Sequence, residues 1–414
     1  MRAVFLLVVG AVAAERAVRL ALTALDLWRT TRSRGLPADL DGLIDPETAE
    51  RARAFAVAKD RLSLARDAAS LALTLWLLLS GVMPWLDGRL QAAGLAGSHA
   101  FVLFLVMAGS AAAITQLPFT AWRTFVVDRR FGLVGTGARV FLADRLVAFA
   151  AALAIAVPAL YAVHALMTRT GPAWWAWLLS LAVALQLGLP WLWASALAPR
   201  VGRQVSLPPG PLRERLTALA TAAGVTLHDV VVVASARPHQ ANATLSGLIR
   251  PVVRLDEALL QRLSEEEVEA VVAHELAHLL LRHPWHRGAL ALASSALLVA
   301  LLAAAVASPE LAAAVGFAVP SLQAALALSS VAGGTALRWL APLEAAISRR
   351  REAAADALAV RLMGRAEPLA TALLELAEEN LANPWPHPWS VAWRFTHPPL
   401  ERRLVLLAEA AEAT

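Results

Sequence analysis

The sequence predicts a predominantly α-helical, polytopic membrane protein, with seven transmembrane helices and a small polar α+β domain. Three observations carry this. The chain of 414 residues is 58% hydrophobic and only 17% charged, with a mean hydropathy of +0.58. Soluble domains carry roughly 25% charged residues. Seven apolar stretches can be marked along the chain, most of them close to the ~20 residues a helix needs to cross the hydrocarbon core. Arg and Lys collect in every second connection between them, the asymmetry that membrane insertion imposes.

The stretches come in order. The first, Val4 to Trp28, is interrupted by Glu15, Arg16 and Arg19. Its start, with Arg2, an apolar run and small residues at Ala11 to Ala14, also has the form of a secretory signal, but an uncleaved span is expected. Ala68 to Leu86, Ala100 to Phe119 and Leu146 to Met167 follow. The fifth, Trp174 to Leu197, carries Trp174, Trp175, Trp177, Trp191 and Trp193 near its ends, as an interfacial aromatic belt does. The last two, Ala289 to Val306 and Leu311 to Leu340, are separated only by "ASPE", which predicts a tight hairpin.

Charge assigns the sides. The connection from Arg29 to Arg66 holds eight Arg or Lys, and that from Ala121 to Arg145 holds five. Those from Asp87 to His99 and from Thr168 to Ala173 hold one each, and "ASPE" none. The basic loops, the segment 199–287 and the C-terminus are therefore expected in the cytoplasm, with the amino terminus outside. The expected organisation is a five-helix membrane domain over 1–198, a polar segment over 199–287, a membrane hairpin over 288–340 and a second polar segment over 341–414.

Composition also excludes chemistry. With no cysteine, disulfides, thiolate metal sites and cysteine nucleophiles are ruled out, so any metal must be held by His, Asp or Glu. The sequence pI near 10.8 follows from the basic loops, so the bilayer is the expected partner and nucleic acid is not. The basic residues are almost all Arg, with Lys59 the only lysine, which suggests a GC-rich bacterial genome and a bacterial cell membrane.

In the polar segments "DVVVVASARP" and "PVVRLD" read as strands from their Val runs. "SEEEVEAVVAHELAHLLLRH" reads as a helix with Ser264 at the N-cap and Glu265 to Glu267 in its first turn. It contains His274, Glu275 and His278, an H-E-x-x-H pattern. Residues four apart share a helix face, so both imidazoles can reach one ion while Glu275 stands beside it as a general base. A helix otherwise built of Val, Ala and Leu has no structural use for these groups. His283 and His286 read as membrane-interface residues.

A catalytic zinc usually has three protein ligands. "ISRRREAAADALAVRL" offers Glu352 as the third, with Asp356 four residues on to fix an imidazole tautomer. In isolation an amphipathic surface helix explains that stretch equally well. Topology favours the metal, because two spans lie between His274 and Glu352 and two crossings return the chain to the same side. "RFTHPPLERRL" places His397 and Arg403 where either can stabilise an oxyanion, although a proline-rich turn before a basic helix accounts for it too. Asn242 precedes a strand-like segment that can serve as an edge for an extended peptide.

The order of these motifs, "SARPHQANATLSGL", "EEEVEAVVAHELAH", a membrane hairpin, "SRRREAAAD" and "THPPLERRL", resembles that of the integral-membrane gluzincin peptidases of the CAAX prenyl protease type 1 kind. Upstream, "RRFGLVGTGARVFLADRL" and "ALYAVHALMTRTGPAWWAW" resemble the membrane domain of that group. The resemblance implies seven helices enclosing a water-filled chamber, with a gluzincin metalloprotease domain facing it. It implies one Zn2+ on His274, His278 and Glu352, Glu275 as base, and Asp356 orienting an imidazole, that of His274. It further implies His397 and Arg403 on the substrate or transition state, and Asn242 on the substrate-binding edge. The expected partner is a peptide or protein substrate, lipidated or membrane-associated, cleaved at the cytoplasmic face. Two other readings use the same residues: a heat-shock-type membrane quality-control protease, and a non-catalytic zinc-binding scaffold or transporter.

Overall fold

The computed structural model describes residues 2–192, 204–233, 242–247, 250–317 and 321–413. Trp193 and the end of the fifth predicted span, and the whole of "SARPHQ", lie outside these residues. The membrane part consists of α1 (Arg2–Arg32), α2 (Pro46–Leu79), α3 (Val82–Ala92), α4 (Gly97–Trp122), α5 (Ala138–Arg169) and α6 (Trp174–Leu192). The end of α4 widens into a π-helical turn, Arg123–Asp128. The polar part begins with β1 (Gln204–Ser206), α7 (Pro211–Ala222), β2 (Asp229–Val233), β3 (Ala243–Ser246), β4 (Val252–Asp256), α8 (Glu257–Arg262) and α9 (Glu265–Leu280). The chain re-enters the apolar region through α10 (His283–Val306), α11 (Pro309–Ala314) and α12 (Leu322–Met363), and ends with α13 (Glu367–Glu379), α14 (Pro388–Arg394) and α15 (Leu400–Glu412).

Among the described residues six helices are long and apolar enough to cross a membrane: α2, α4, α5, α6, α10 and α12. The first helix forms over 31 residues, but its charges keep it out of this set. They face inward. Glu15, 4% exposed, lies 3.1 Å from Arg338 of α12, and Arg19 lies 3.2 Å from Asp67 of α2. The α5 helix has no buried residues, so its apolar surface is left for lipid to cover.

The expected hairpin differs from the observed one. A short helix, α11, intervenes after Val306, and the return begins only at Leu322. Gly316, at φ +96°, turns the chain after α11, and the Ser321 hydroxyl caps α12 by accepting from the Ala324 N–H at 3.2 Å. The same helix then runs for 42 residues, about 60 Å at 1.5 Å per residue. It passes uninterrupted through the boundary expected at Leu340 and joins the membrane and polar parts as one rod. α10 packs closely against it, since a Cβ at Gly333 would stand 2.3 Å from Leu298 Cδ2.

The sheet has the order β1-β2-β4-β3. β2 and β4 are parallel, with Asp229 opposite Val252, and β3 runs antiparallel to β4 with Ala243 opposite Leu255, leaving β3 at the edge. Inward residues Val230, Val253 and Leu255 pack with Val272, Leu276 and Leu407 into the core of the polar part. The loop after α13 is tied to α1: Asp26 accepts from the His387 N–H at 2.8 Å and also holds Ser390 and Arg394 of α14.

Candidate active site

The site is built on α9, whose start and stop are both encoded locally. Ser264 and Glu267 form a capping box, with the Ser264 N–H donating to Glu267 Oε2 at 2.7 Å. The helix stops at Arg282, a non-glycine residue at φ +58°, an uncommon left-handed conformation that redirects the chain into α10. α9 packs along α12, which brings Glu352 over the two histidines.

His274 Nε2 and His278 Nε2 face each other at 3.1 Å. Glu352 places Oε2 3.5 Å from the first and Oε1 3.5 Å from the second. One ligand atom from each of the three residues lies within 4.8 Å of the others, so they can hold a single metal ion. Behind His274, Asp356 Oδ1 lies 2.8 Å from Nδ1, which leaves Nε2 to the shared point. Two imidazoles and one carboxylate converging from rigid helices, with both imidazole backs engaged, fit a zinc ion with an open fourth position.

The electrostatics agree with a cation-holding site. Burial disfavours charge on His274, but its bonds to Asp356 and Glu352 outweigh this and raise its pKa to about 9. For His278, burial and the neighbouring His274 charge push it down to about 4. Glu275 is half-buried and accepts a backbone hydrogen bond from Leu245 of β3, and burial raises its pKa above the ordinary 4.5. It faces a cavity of about 550 Å³ together with His278, Glu352 and His397.

The other expected residues fall in three places. His397 lines that cavity, its side chain 60% exposed, with Nδ1 2.8 Å from Glu352 Oε2. Arg403 does not reach the cavity; it sits behind Asp356 and donates to both carboxylate oxygens at 2.9 and 2.6 Å. Its side chain is 12% exposed, so it is placed to act through Asp356 and not on a reacting group. Asn242 is exposed at the start of β3, where its carbonyl accepts from the Asp256 N–H at 3.0 Å. β3 meets the cavity further along, at Leu245 and Gly247.

His283, expected at the membrane interface, is buried and places Nδ1 2.7 Å from Nδ1 of His278. Its spacing concealed this, because five residues on an uninterrupted helix point about 140° apart. The left-handed break at Arg282 brings the two rings together. Arg349 was also unforeseen. It donates to the carbonyls of Val391 and Phe395, both at 2.8 Å, and so braces the segment that carries His397.

Comparison with known proteins agrees with this architecture. Residues 27–203 match a family model described as the CAAX prenyl protease N-terminal region of five membrane helices, and residues 207–411 match peptidase family M48. The CAAX prenyl protease 1 homolog of Oryza sativa subsp. japonica is 28% identical over 389 residues, covering 91% of this chain and 90% of its own. A Protease HtpX homolog from Verminephrobacter eiseniae is 31% identical over 224 residues, which cover 48% of this chain and 70% of that protein. The crystal structure of S. mikatae Ste24p aligns with a TM-score of 0.87 at 22% identity, over 97% of this chain and 98% of that one. The heat-shock and scaffold readings are thus not favoured. Nor is the bacterial source inferred from Arg bias supported, since near-full-length relatives include plant, mammalian and yeast proteins, while the Verminephrobacter match covers 48% of the chain. The chain belongs to peptidase family M48, as a multi-pass membrane zinc metalloendopeptidase.

Proposed function

We propose that the enzyme cleaves membrane-associated or lipidated peptides at the cytoplasmic face, in the manner of the CAAX prenyl protease type 1 group, inside a chamber bounded by seven helices. The observation that carries this is the convergence of His274, His278 and Glu352 beside Glu275 on one cavity. α1 is the seventh helix: its charges are paired within the bundle, which lowers the cost of placing them in a membrane. The alternation of basic loops supports the cytoplasmic orientation, and the membrane part gives way to the polar part near residue 198.

One Zn2+ per chain would be held by His274, His278 and Glu352. When bound, it supplies Lewis acidity, acidifying water and polarising the scissile carbonyl. Glu275 takes the proton of the attacking water, aided by a burial-raised pKa that suits a general base, and returns it to the leaving amine. His397, exposed in the cavity, donates to the developing oxyanion. Asp356 holds His274 in the tautomer that frees Nε2, Arg403 holds Asp356, and His283 does for His278 what Asp356 does for His274. The free edge of β3, which begins beside Asn242, accepts the substrate as an added strand.

The test pairs zinc stoichiometry with peptide cleavage in wild type and Glu275→Ala, using a farnesylated CAAX peptide and an unprenylated control. One zinc in both proteins, with cleavage in wild type alone, is expected, and so is a preference for the farnesylated peptide. Cleavage surviving in Glu275→Ala would overturn the assignment of the base, and equal cleavage of both peptides would overturn the lipid preference.

A further inference from the structure

One face of α12 carries more than a metal ligand. Arg349, Glu352 and Asp356 stand at intervals of three and four residues, so they form a single stripe along the helix. Each grips a successive part of the chain between Val391 and Arg403. The Arg349 guanidinium donates to the carbonyls of Val391 and Phe395 at 2.8 Å and of Ala392 at 3.4 Å. Glu352 meets His397 at 2.8 Å, and Asp356 accepts from two nitrogens of Arg403. Glu352 and Asp356 belong to the metal site, whereas Arg349 has no carboxylate partner among the described residues. Nor does it line the catalytic cavity, although Ser348 and Arg351 do.

The carbonyls that Arg349 takes are ones a helix leaves open. α14 is 7 residues long, and its last carbonyls have no further turn to bond. A cation placed there satisfies them and complements the negative end of the helix. Only Thr396 separates the held Phe395 from His397, and Pro398 and Pro399 follow directly. A proline restricts the residue before it to extended backbone, so His397 has little freedom once Phe395 is held. This backbone restraint matters because the His397 side chain is 60% exposed and little confined by packing. We propose that Arg349 is a positioning residue for the reaction. By holding the Val391 and Phe395 carbonyls it keeps His397 aimed at the developing oxyanion, without itself touching substrate or metal. This rests on the oxyanion role given to His397 above and deepens it by naming the residue that enforces it.

The test is a double-mutant cycle on the full-length, zinc-loaded protein with the farnesylated peptide, combining Arg349→Met and His397→Ala. Methionine keeps the unbranched stem of the side chain and removes its donors. Loss of an oxyanion donor lowers kcat by about 100- to 1,000-fold, the range expected for His397→Ala. Arg349→Met misplaces that donor without removing it, so kcat should fall about 10- to 100-fold, with KM and zinc stoichiometry unchanged. Because both act through one imidazole, the double variant should be within about twofold of His397→Ala. A second readout is independent of turnover. In the metal-free protein, hydrogen exchange at the amides from Val391 to Phe395 should accelerate in Arg349→Met, while that of α9 stays as in wild type. Losses that multiply in the double variant would overturn the proposal, as would an unchanged kcat in Arg349→Met. A merely structural role would appear as lost zinc and faster exchange throughout α9 and α12, which also overturns it. Failure of the oxyanion reading looks different: His397→Ala would then keep kcat within about twofold of wild type, and the proposal would fall with that reading.

Discussion

Replacing His283 by Ala should weaken zinc binding without unfolding the protein. His278 offers Nε2 to the metal point, so its proton must sit on Nδ1, and that atom lies 2.7 Å from Nδ1 of His283. His283 therefore accepts at Nδ1 and carries its own proton on Nε2. Removing such a partner costs about 10- to 100-fold in metal affinity, or about 1.4 to 2.7 kcal/mol. The lower end is expected here. His278 is 24% exposed toward the cavity, so water can take over the Nδ1 proton once the imidazole is gone. By the same logic Asp356→Ala should cost more, because Asp356 is a charged partner, 1% exposed, and no water can replace it. The assay is competition between metal-free protein and a calibrated chelator, with the melting temperature of the metal-free form as a control. His283→Gln, whose amide oxygen can accept from Nδ1, should recover part of the loss. An affinity for His283→Ala within twofold of wild type would refute the tautomer argument.

Two further outcomes follow from the geometry. Arg403→Ala leaves Asp356, buried at 1% exposure, with one cationic partner fewer. It should cost about 3 kcal/mol in denaturation of the metal-free protein and lower zinc affinity, and Arg403→Lys should not restore it because a single ammonium cannot replace the two-pronged contact. A variant that loses kcat while keeping stability and zinc affinity would return Arg403 to the substrate. For pH, Glu275 works as a base only when ionised, and burial raises its pKa above 4.5. The activity lost on acidification should therefore disappear at a pH higher than an ordinary glutamate dictates, and an acid limb of kcat/KM at or below 4.5 would contradict the burial argument.

The reactive groups were legible because they obey helical spacing. His274 and His278 are four apart on a helix whose cap is written in Ser264 and Glu267, and Glu352 and Asp356 repeat the interval on the partner helix. The roles of Arg403 and His283 were not legible for separate reasons. Arg403 looked like a free cation on a basic helix because the sequence hides the carboxylate 47 residues away that takes both its donors. The position of His283 depends on one left-handed residue, Arg282, and no periodicity announces such a break.

The same limitation of local reading explains the first and last membrane helices. A hydropathy window treats Glu15 and Arg19 in α1 and Arg338 in α12 as isolated penalties, and those in α1 are enough to keep it out of the six apolar spans. In the fold these penalties largely offset one another: Glu15 lies 3.1 Å from Arg338 and Arg19 lies 3.2 Å from Asp67. An ion pair buried in a bundle is costly to break, because removing one partner strands the other. The pairing therefore binds α1 to α2 and α12 at the level of the membrane, while Asp26, further along α1, grips the loop after α13 and the α14 helix that precedes His397. The rod that brings Glu352 to the metal point and the helix that anchors α14 are thus fixed to each other by charges that, read one at a time, argue against a membrane location. The positions least membrane-like in sequence are the ones that hold the membrane part and the catalytic part in register.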